Sequence, residues 1–223
     1  MAKISLEKRA EKVGIVLEKK QINNIPCQVK LGIDRSGSMD HLYSKGTVQD
    51  IVERILAISL NVDMDKSVDV FAFHTKSYPV KPVTVPLVEN YVNDEIVNKI
   101  RSGGTSYAPC FEQILESSQG KKGFLGFGKK QADPTLAIFI TDGENDDRSE
   151  SERVIKKSLS ENIYWLMVGI GHQGDFSFIK RLGDDYPNVG FITINNIDSI
   201  DDDDLYEAML NDELAAWFKK FKK

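Results

Sequence analysis

An α/β fold, with a mostly parallel central sheet covered by helices on both faces, is what this sequence predicts. Three observations carry that reading. Short apolar runs alternate along the chain with stretches of helical spacing. The runs are apolar throughout rather than at every second residue, as strands buried on both faces require. The chain has 223 residues with 41% hydrophobic and 28% charged, which suits one ordinary globular domain with or without an extension.

The elements follow in order. Ser5 to Lys20 carries Leu6, Val13, Val16 and Leu17 among many charges. Ser5 is a candidate cap, and Gly14 weakens a helix, so a short amphipathic helix or a strand over Val13–Leu17 both remain open. Residues 1–22 are taken as an N-terminal extension and 23–223 as the main domain. Ile25 to Ile33 is nearly continuous apolar sequence, a strand that stops at Asp34-Arg35-Ser36-Gly37-Ser38-Met39. From Thr47 to Val62 the apolar spacing is helical. Ser67 to Phe73 reads as a strand. Val80 to Val85 reads as an edge strand, the one antiparallel element, because Pro82 cannot donate to a ladder. A short helix is expected over Asn93–Ile100, then the loop Arg101 to Ser106, then a helix from Pro109 to Ser117 with proline in its first turn. Leu136–Ile140 is a buried strand ending in Thr141-Asp142-Gly143-Glu144. A charged helix over Ser149–Ser160, a strand over Tyr164–Val168, a helix over Phe176–Leu182, a strand over Gly190–Ile194 and a closing helix over Asp203–Phe221 complete the pattern. Trp217 and Phe218 are expected to pack on the core. Residues 119–131 (QGKKGFLGFGKKQ) interrupt it with glycines, lysines and two phenylalanines, and are read as an exposed basic loop.

Composition excludes several functions. The net charge of −5 argues against a nucleic-acid binder that works by phosphate neutralisation. The two cysteines, Cys27 and Cys110, stand in apolar surroundings away from metal-ligand spacing, which predicts buried reduced thiols. No export signal and no apolar run of membrane-spanning length is visible, so the cytoplasm is the expected location.

Open parallel sheets bind ligands beyond the carboxyl ends of their strands. Three loops there carry oxygen donors: Asp34-x-Ser36-x-Ser38, Gly103-Gly104-Thr105 and Thr141-Asp142-Gly143. Two carboxylates and three hydroxyls, with no imidazole or thiolate, favour Mg²⁺, Mn²⁺ or Ca²⁺ over zinc or copper. Each loop alone reads as an ordinary turn or helix cap; their order and placement at strand ends make the metal site.

These residues resemble the metal-ion-dependent adhesion site of von Willebrand factor A domains, and the resemblance runs from about Ile25 to the C-terminus. VKLGIDRSGSM, GGTSYAPCFEQIL and ITDGENDD are similar to the bacterial tellurium-resistance (TerF/TerY-like) branch. The resemblance implies a Rossmann-like fold and one divalent ion, with Ser36, Ser38 and Thr105 as direct or near-direct ligands. Asp34 and Asp142 would contribute directly or through water, and an open position would accept a carboxylate from a partner protein. It further implies an interaction module, not an enzyme, in a stress-response assembly. Met39, His41, Tyr43, Ser106, Tyr107 and Asn145 are the expected partner-choosing residues.

Competing motifs are weaker. Gly123-x-x-x-x-Gly128-Lys129 lacks the Ser or Thr of a phosphate-binding loop. Gly169-x-Gly171-x-x-Gly174 follows a strand, but Asn195 or Asn196 stands where the acidic ribose partner belongs, so a tight turn is the better reading. Asp198 and Asp201 to Asp204 suit the start of a helix, with a second cation site as the alternative. Asp146 and Asp147 read as a solvated loop. His41 and His74 belong near the mouth of the site or the surface, and with His172 they find no serine in a nucleophile elbow. A Mg²⁺-assisted phosphoester hydrolase and a membrane-surface module using residues 121–130 are the alternative functions.

Overall fold

The computed structural model describes residues 5–119, 133–143, 145–171 and 174–222. The expected basic loop therefore lies outside the described residues, apart from its first residue, Gln119. Six strands form one sheet: β1 (Gln28–Asp34), β2 (Asp69–Phe73), β3 (Ser77–Pro79), β4 (Thr135–Thr141), β5 (Ile163–Ile170) and β6 (Val189–Ile194). Their order is β3-β2-β1-β4-β5-β6, parallel throughout except for the β2–β3 pair. The helices are α1 (Leu6–Lys19), α2 (Asp40–Ser44), α3 (Thr47–Val62), α4 (Ala108–Ser118), α5 (Arg148–Ser158), α6 (Ser177–Asp185), α7 (Asp202–Met209) and α8 (Asp212–Phe218).

Alternate residues of each central strand feed two cores. Leu136, Ile138 and Ile140 of β4 join the core beneath α1, α3, α7 and α8. Ala137 and Phe139 join the core beneath α4, α5 and α6. Burial on both faces is why these strands read as unbroken apolar runs. Both cysteines are buried and free, as expected, and burial pushes both thiols up out of reach of ionisation.

The N-terminal segment takes the helical alternative. Ser5 caps α1 by accepting from the Lys8 N–H, and the helix lies against α3 and α7. Arg9 is buried there. Its guanidinium donates to Asp50, to Glu53 at 3.2 Å and to Asp202 at 3.4 Å, while Arg54 reaches the same Asp202 at 2.9 Å.

Two expectations need correction. The antiparallel edge strand is Ser77–Pro79, not Val80–Val85. The chain turns back immediately after Phe73, so Phe73 pairs with Ser77 and Phe71 with Pro79. Val80 still donates to Val70, but Val68 pairs with Val83. One residue, Asp69, thus faces two, Lys81 and Pro82, and this bulge takes up Pro82, which has no N–H to offer. The closing helix is also two helices. It breaks at Leu210, and Asn211 restarts it by accepting from the Leu214 N–H at 3.0 Å. Trp217 and Phe218 pack on the core as expected, Trp217 lying 5.6 Å from the Tyr164 ring. Asn93–Val97 forms a single wide turn in which Asn98 N–H reaches back to the Asn93 carbonyl. Among the described residues no helix is long and apolar enough to cross a membrane.

Candidate metal centre

The sheet order reverses at β1 and β4, since β2 and β3 extend it one way from β1 and β5 and β6 the other way from β4. Ligands bind outside the carboxyl ends of strands at such a switch point. Asp34 is the last residue of β1, and Asp142 follows the last residue of β4. The pairing of Ile33 with Ile140 sets the next residues side by side, and Thr141 Oγ1 donates to Asp34 Oδ2 at 2.6 Å.

From Asp34 a chain of short contacts crosses the rim. Asp34 Oδ1 accepts the Ser36 N–H at 2.7 Å. The Ser36 and Ser38 hydroxyls are 3.1 Å apart, and Ser38 Oγ donates to Asp142 Oδ1 at 2.9 Å. Four of the five candidate ligands are therefore joined in one network. Thr105 reaches the same rim through its backbone: Gly37 N–H donates to the Gly103 carbonyl at 3.0 Å, and Asp146 N–H to the Thr105 carbonyl at 2.9 Å. Among the described residues its side chain makes no hydrogen bond to the other four.

Electrostatically the Asp34 carboxylate is met by hydroxyl and amide donors and by no ion pair. Asp34 is fully buried, and burial raises its carboxyl to about 6 against the pull of hydroxyl and amide donors from Thr141 and Ser36. Burial also raises Asp142. A buried carboxylate served only by neutral donors is costly, and a cation would offset that cost. No group of three His, Cys, Asp or Glu side chains suited to a metal occurs among the described residues. The set is two carboxylates and hydroxyls, the chemistry of a hard dication with coordination to spare.

The surroundings correct several expectations. Met39, Tyr43, Tyr107 and Asn145 are buried and have no surface to offer a partner. Tyr43 donates its hydroxyl to the Asp34 carbonyl, and its ring stacks under the Arg35 guanidinium. Arg35 also bonds Asp40, so it is engaged within the loop instead of facing a phosphate. Of the six, only His41 and Ser106 reach solvent. His41 Nδ1 donates to the Ser38 carbonyl at 2.8 Å, leaving Nε2 clear of that bond. His74 is half-buried, bonded to Thr75 and Tyr78, and its carbonyl holds the Ser106 N–H. His172 lies outside the described residues.

Asp147 is the residue that sequence reasoning missed. Its carboxylate accepts the Tyr107 and Ala108 N–H groups, both at 2.9 Å, and so caps α4 from a different loop. Asn145 and Ser151 hold the same carboxylate. The Thr105 loop is thereby hooked to the Asp142 loop. The glycine fingerprint also finds its reason. Cβ atoms at Gly169 and Gly174 would strike the Phe176 ring at 2.8 and 2.7 Å, and one at Gly174 would stand 2.2 Å from the Asp142 carbonyl. Close packing on Phe176 and on the Asp142 turn accounts for these two glycines, and the left-handed φ of 94° at Gly171 is the tight turn expected after the strand. The alternative second cation site dissolves into ordinary pairs: Asp201 caps α7, Asp202 serves Arg9 and Arg54, Asp203 serves Lys12, and Asp198 serves Thr47 and Lys45.

Beside the rim opens a cleft of about 570 Å³, with Ser38 and Asp142 on its wall together with His41, Lys45, Asn195 and Asn196.

Comparison with known proteins follows the same outline. A family model described as vWA-TerF-like, the vWA found in the TerF C terminus, matches residues 26–223. The uncharacterized protein YcbR of Bacillus subtilis (strain 168) is 34% identical over 230 residues, taking in 100% of this chain and 89% of that protein. Among solved structures, a von Willebrand factor type A protein from Catenulispora acidiphila superposes with a TM-score of 0.54 at 16% identity, over 86% of this chain and 42% of that one. Proximal thread matrix protein 1 from the mussel byssus, with a zinc-occupied MIDAS motif, does so with a TM-score of 0.57 at 16% identity, over 83% of this chain and 47% of that one. The chain thus spans less than half the length of these solved chains, and at such identity the likeness is one of fold.

Proposed function

The chain belongs to the vWA-TerF-like family of von Willebrand factor A domains, and we propose that it works as a metal-dependent interaction module without catalytic activity of its own. Asp34, Ser36, Ser38, Thr105 and Asp142 would hold one divalent cation, Mg²⁺ first, with Mn²⁺ and Ca²⁺ as the other hard candidates. When bound, the ion supplies a Lewis-acidic position for a carboxylate oxygen from an acidic side chain of a partner protein. The network from Asp34 through Ser36 and Ser38 to Asp142 is the observation that carries this reading. Two carboxylates and two hydroxyls meet along one rim in it. A zinc-occupied site of this kind in the mussel protein adds support for a divalent cation.

The partner's acidic segment would enter through the cleft, whose wall carries the exposed His41 and Lys45 along with Ser38. The family name points to a tellurium-resistance or related stress-response assembly as the setting, in the cytoplasm. Against hydrolysis stands the commitment of Arg35 to Asp40 and Tyr43, which leaves the motif loops without a cationic clamp for phosphate.

The test is calorimetric titration of the full chain with Mg²⁺, Mn²⁺, Ca²⁺ and Zn²⁺, paired with thermal unfolding in each ion and in chelator. An ion at about 100 times its dissociation constant should stabilise the fold by about 2.7 kcal/mol. Asp142→Ala and Ser38→Ala should remove both the heat and the shift. No binding at millimolar ion would overturn the reading.

A further inference from the structure

Tyr107 occupies a place that packing alone does not require. Its ring is enclosed by Phe139 at 4.9 Å, Phe73 at 5.8 Å and Phe111 at 5.9 Å between ring centres. A phenylalanine would satisfy those contacts. The hydroxyl does something else: it donates to the Gly143 carbonyl and lies 3.1 Å from Thr141 Oγ1, the group that donates to Asp34 Oδ2. The Tyr107 backbone N–H is meanwhile fixed on Asp147. One residue, two positions after Thr105, thus touches the turn that carries Asp142 and the hydroxyl that orients Asp34.

We propose that the Tyr107 hydroxyl is a positioning group for the cation site, locking the Asp142 turn and the Asp34 carboxylate to the loop that bears Thr105. The inference rests on the metal reading above. Ligands contributed by three separate loops must be held to within about half an ångström for an ion to bind tightly. In this rim the lock is a buried hydroxyl, carried on the segment that bears Thr105, which holds the residues on both sides of Asp142 directly and reaches Asp34 through Thr141 Oγ1. Without it the Gly143 carbonyl loses its buried donor, and the turn is free to shift to find another.

Tyr107→Phe tests this directly, since it keeps the ring and removes one oxygen. Calorimetry with Mn²⁺ and Mg²⁺ on the full chain should show binding weakened about tenfold or more relative to the unaltered protein. Phe111→Leu, which disturbs the same aromatic cluster without touching the hydroxyl, should leave ion affinity within about twofold even where it lowers thermal stability. Thr141→Val removes the next hydroxyl in the relay and should weaken binding similarly; it carries the test if Tyr107→Phe fails to fold. Combining Tyr107→Phe with Thr141→Val should weaken binding by less than the product of the single effects. Equal affinity in Tyr107→Phe and the unaltered chain overturns the inference while leaving the metal reading intact. Absence of binding by the unaltered chain overturns both.

Discussion

An added methyl group at Gly174 would stand 2.2 Å from the Asp142 carbonyl oxygen, which is backbone and cannot swing aside, and against the Phe176 ring as well. Gly174→Ala must therefore displace the Asp142 turn or the loop packed on it. Overpacking of this kind costs about 1–3 kcal/mol, and the urea midpoint should fall accordingly. Because the displaced turn carries a candidate ligand, ion affinity should fall with it, whereas a substitution that only loosened the loop would lower stability alone. Residues at this scale were unequally legible. Asp34, Ser36, Ser38 and Asp142 stand out because carboxylates and hydroxyls at strand ends have few other reasons to cluster. Asp147 and Tyr107 do not stand out, because each acts on a loop some 40 residues away. A second aspartate in Asn145-Asp146-Asp147 looks locally like any solvated turn, and a tyrosine after Thr105 looks like a surface contact until its burial is known.

Elements were legible wherever both flanks of the sheet bury them, and less so at the edges, where local chemistry competes with pattern. The closing helix shows how. Apolar spacing continues past Met209, so periodicity alone reads one helix. The break is written instead in Asn211 followed by Asp212 and Glu213, a capping residue with two acids in the first turn. Asn211→Ala should therefore lower stability by about 1 kcal/mol, measured by urea unfolding, while Asn211→Asp should retain it, since aspartate accepts the Leu214 N–H equally well. If alanine were neutral, α7 and α8 would be held apart by packing and the cap would be incidental. The edge strand follows a similar logic. Pro82 correctly marks an edge, but the hairpin closes earlier, at Ser77, and the proline sits in the bulge that follows.

On the scale of the whole molecule the α/β class follows from burial. Strands that must be apolar on both faces need helices on both, and α3 to α6 are the connections that supply most of them. What this leaves open is whether α1 is an appendage to residues 23–223 or part of their core. Its inward side argues for the latter. Val13, Val16 and Leu17 are buried in the same core as β1 and β4, and each such side chain is worth about 1.5–3 kcal/mol when removed from water. Arg9 adds a second dependence. Its guanidinium is enclosed with Asp50, Glu53 and Asp202, and removing one partner from a buried ionic cluster costs more than the cluster contributes, because the remaining charge stays desolvated. Together these terms match the whole net stability of an ordinary domain, about 5–15 kcal/mol. A chain lacking residues 1–22 should then lose cooperative urea unfolding or fall to a much lower midpoint, and Arg9→Met alone, which keeps the apolar contacts, should lower the midpoint by part of that amount. An unchanged midpoint with unchanged slope in the truncated chain would mean that α1 only lies on a domain complete without it, and that Asp202 is adequately served by Arg54.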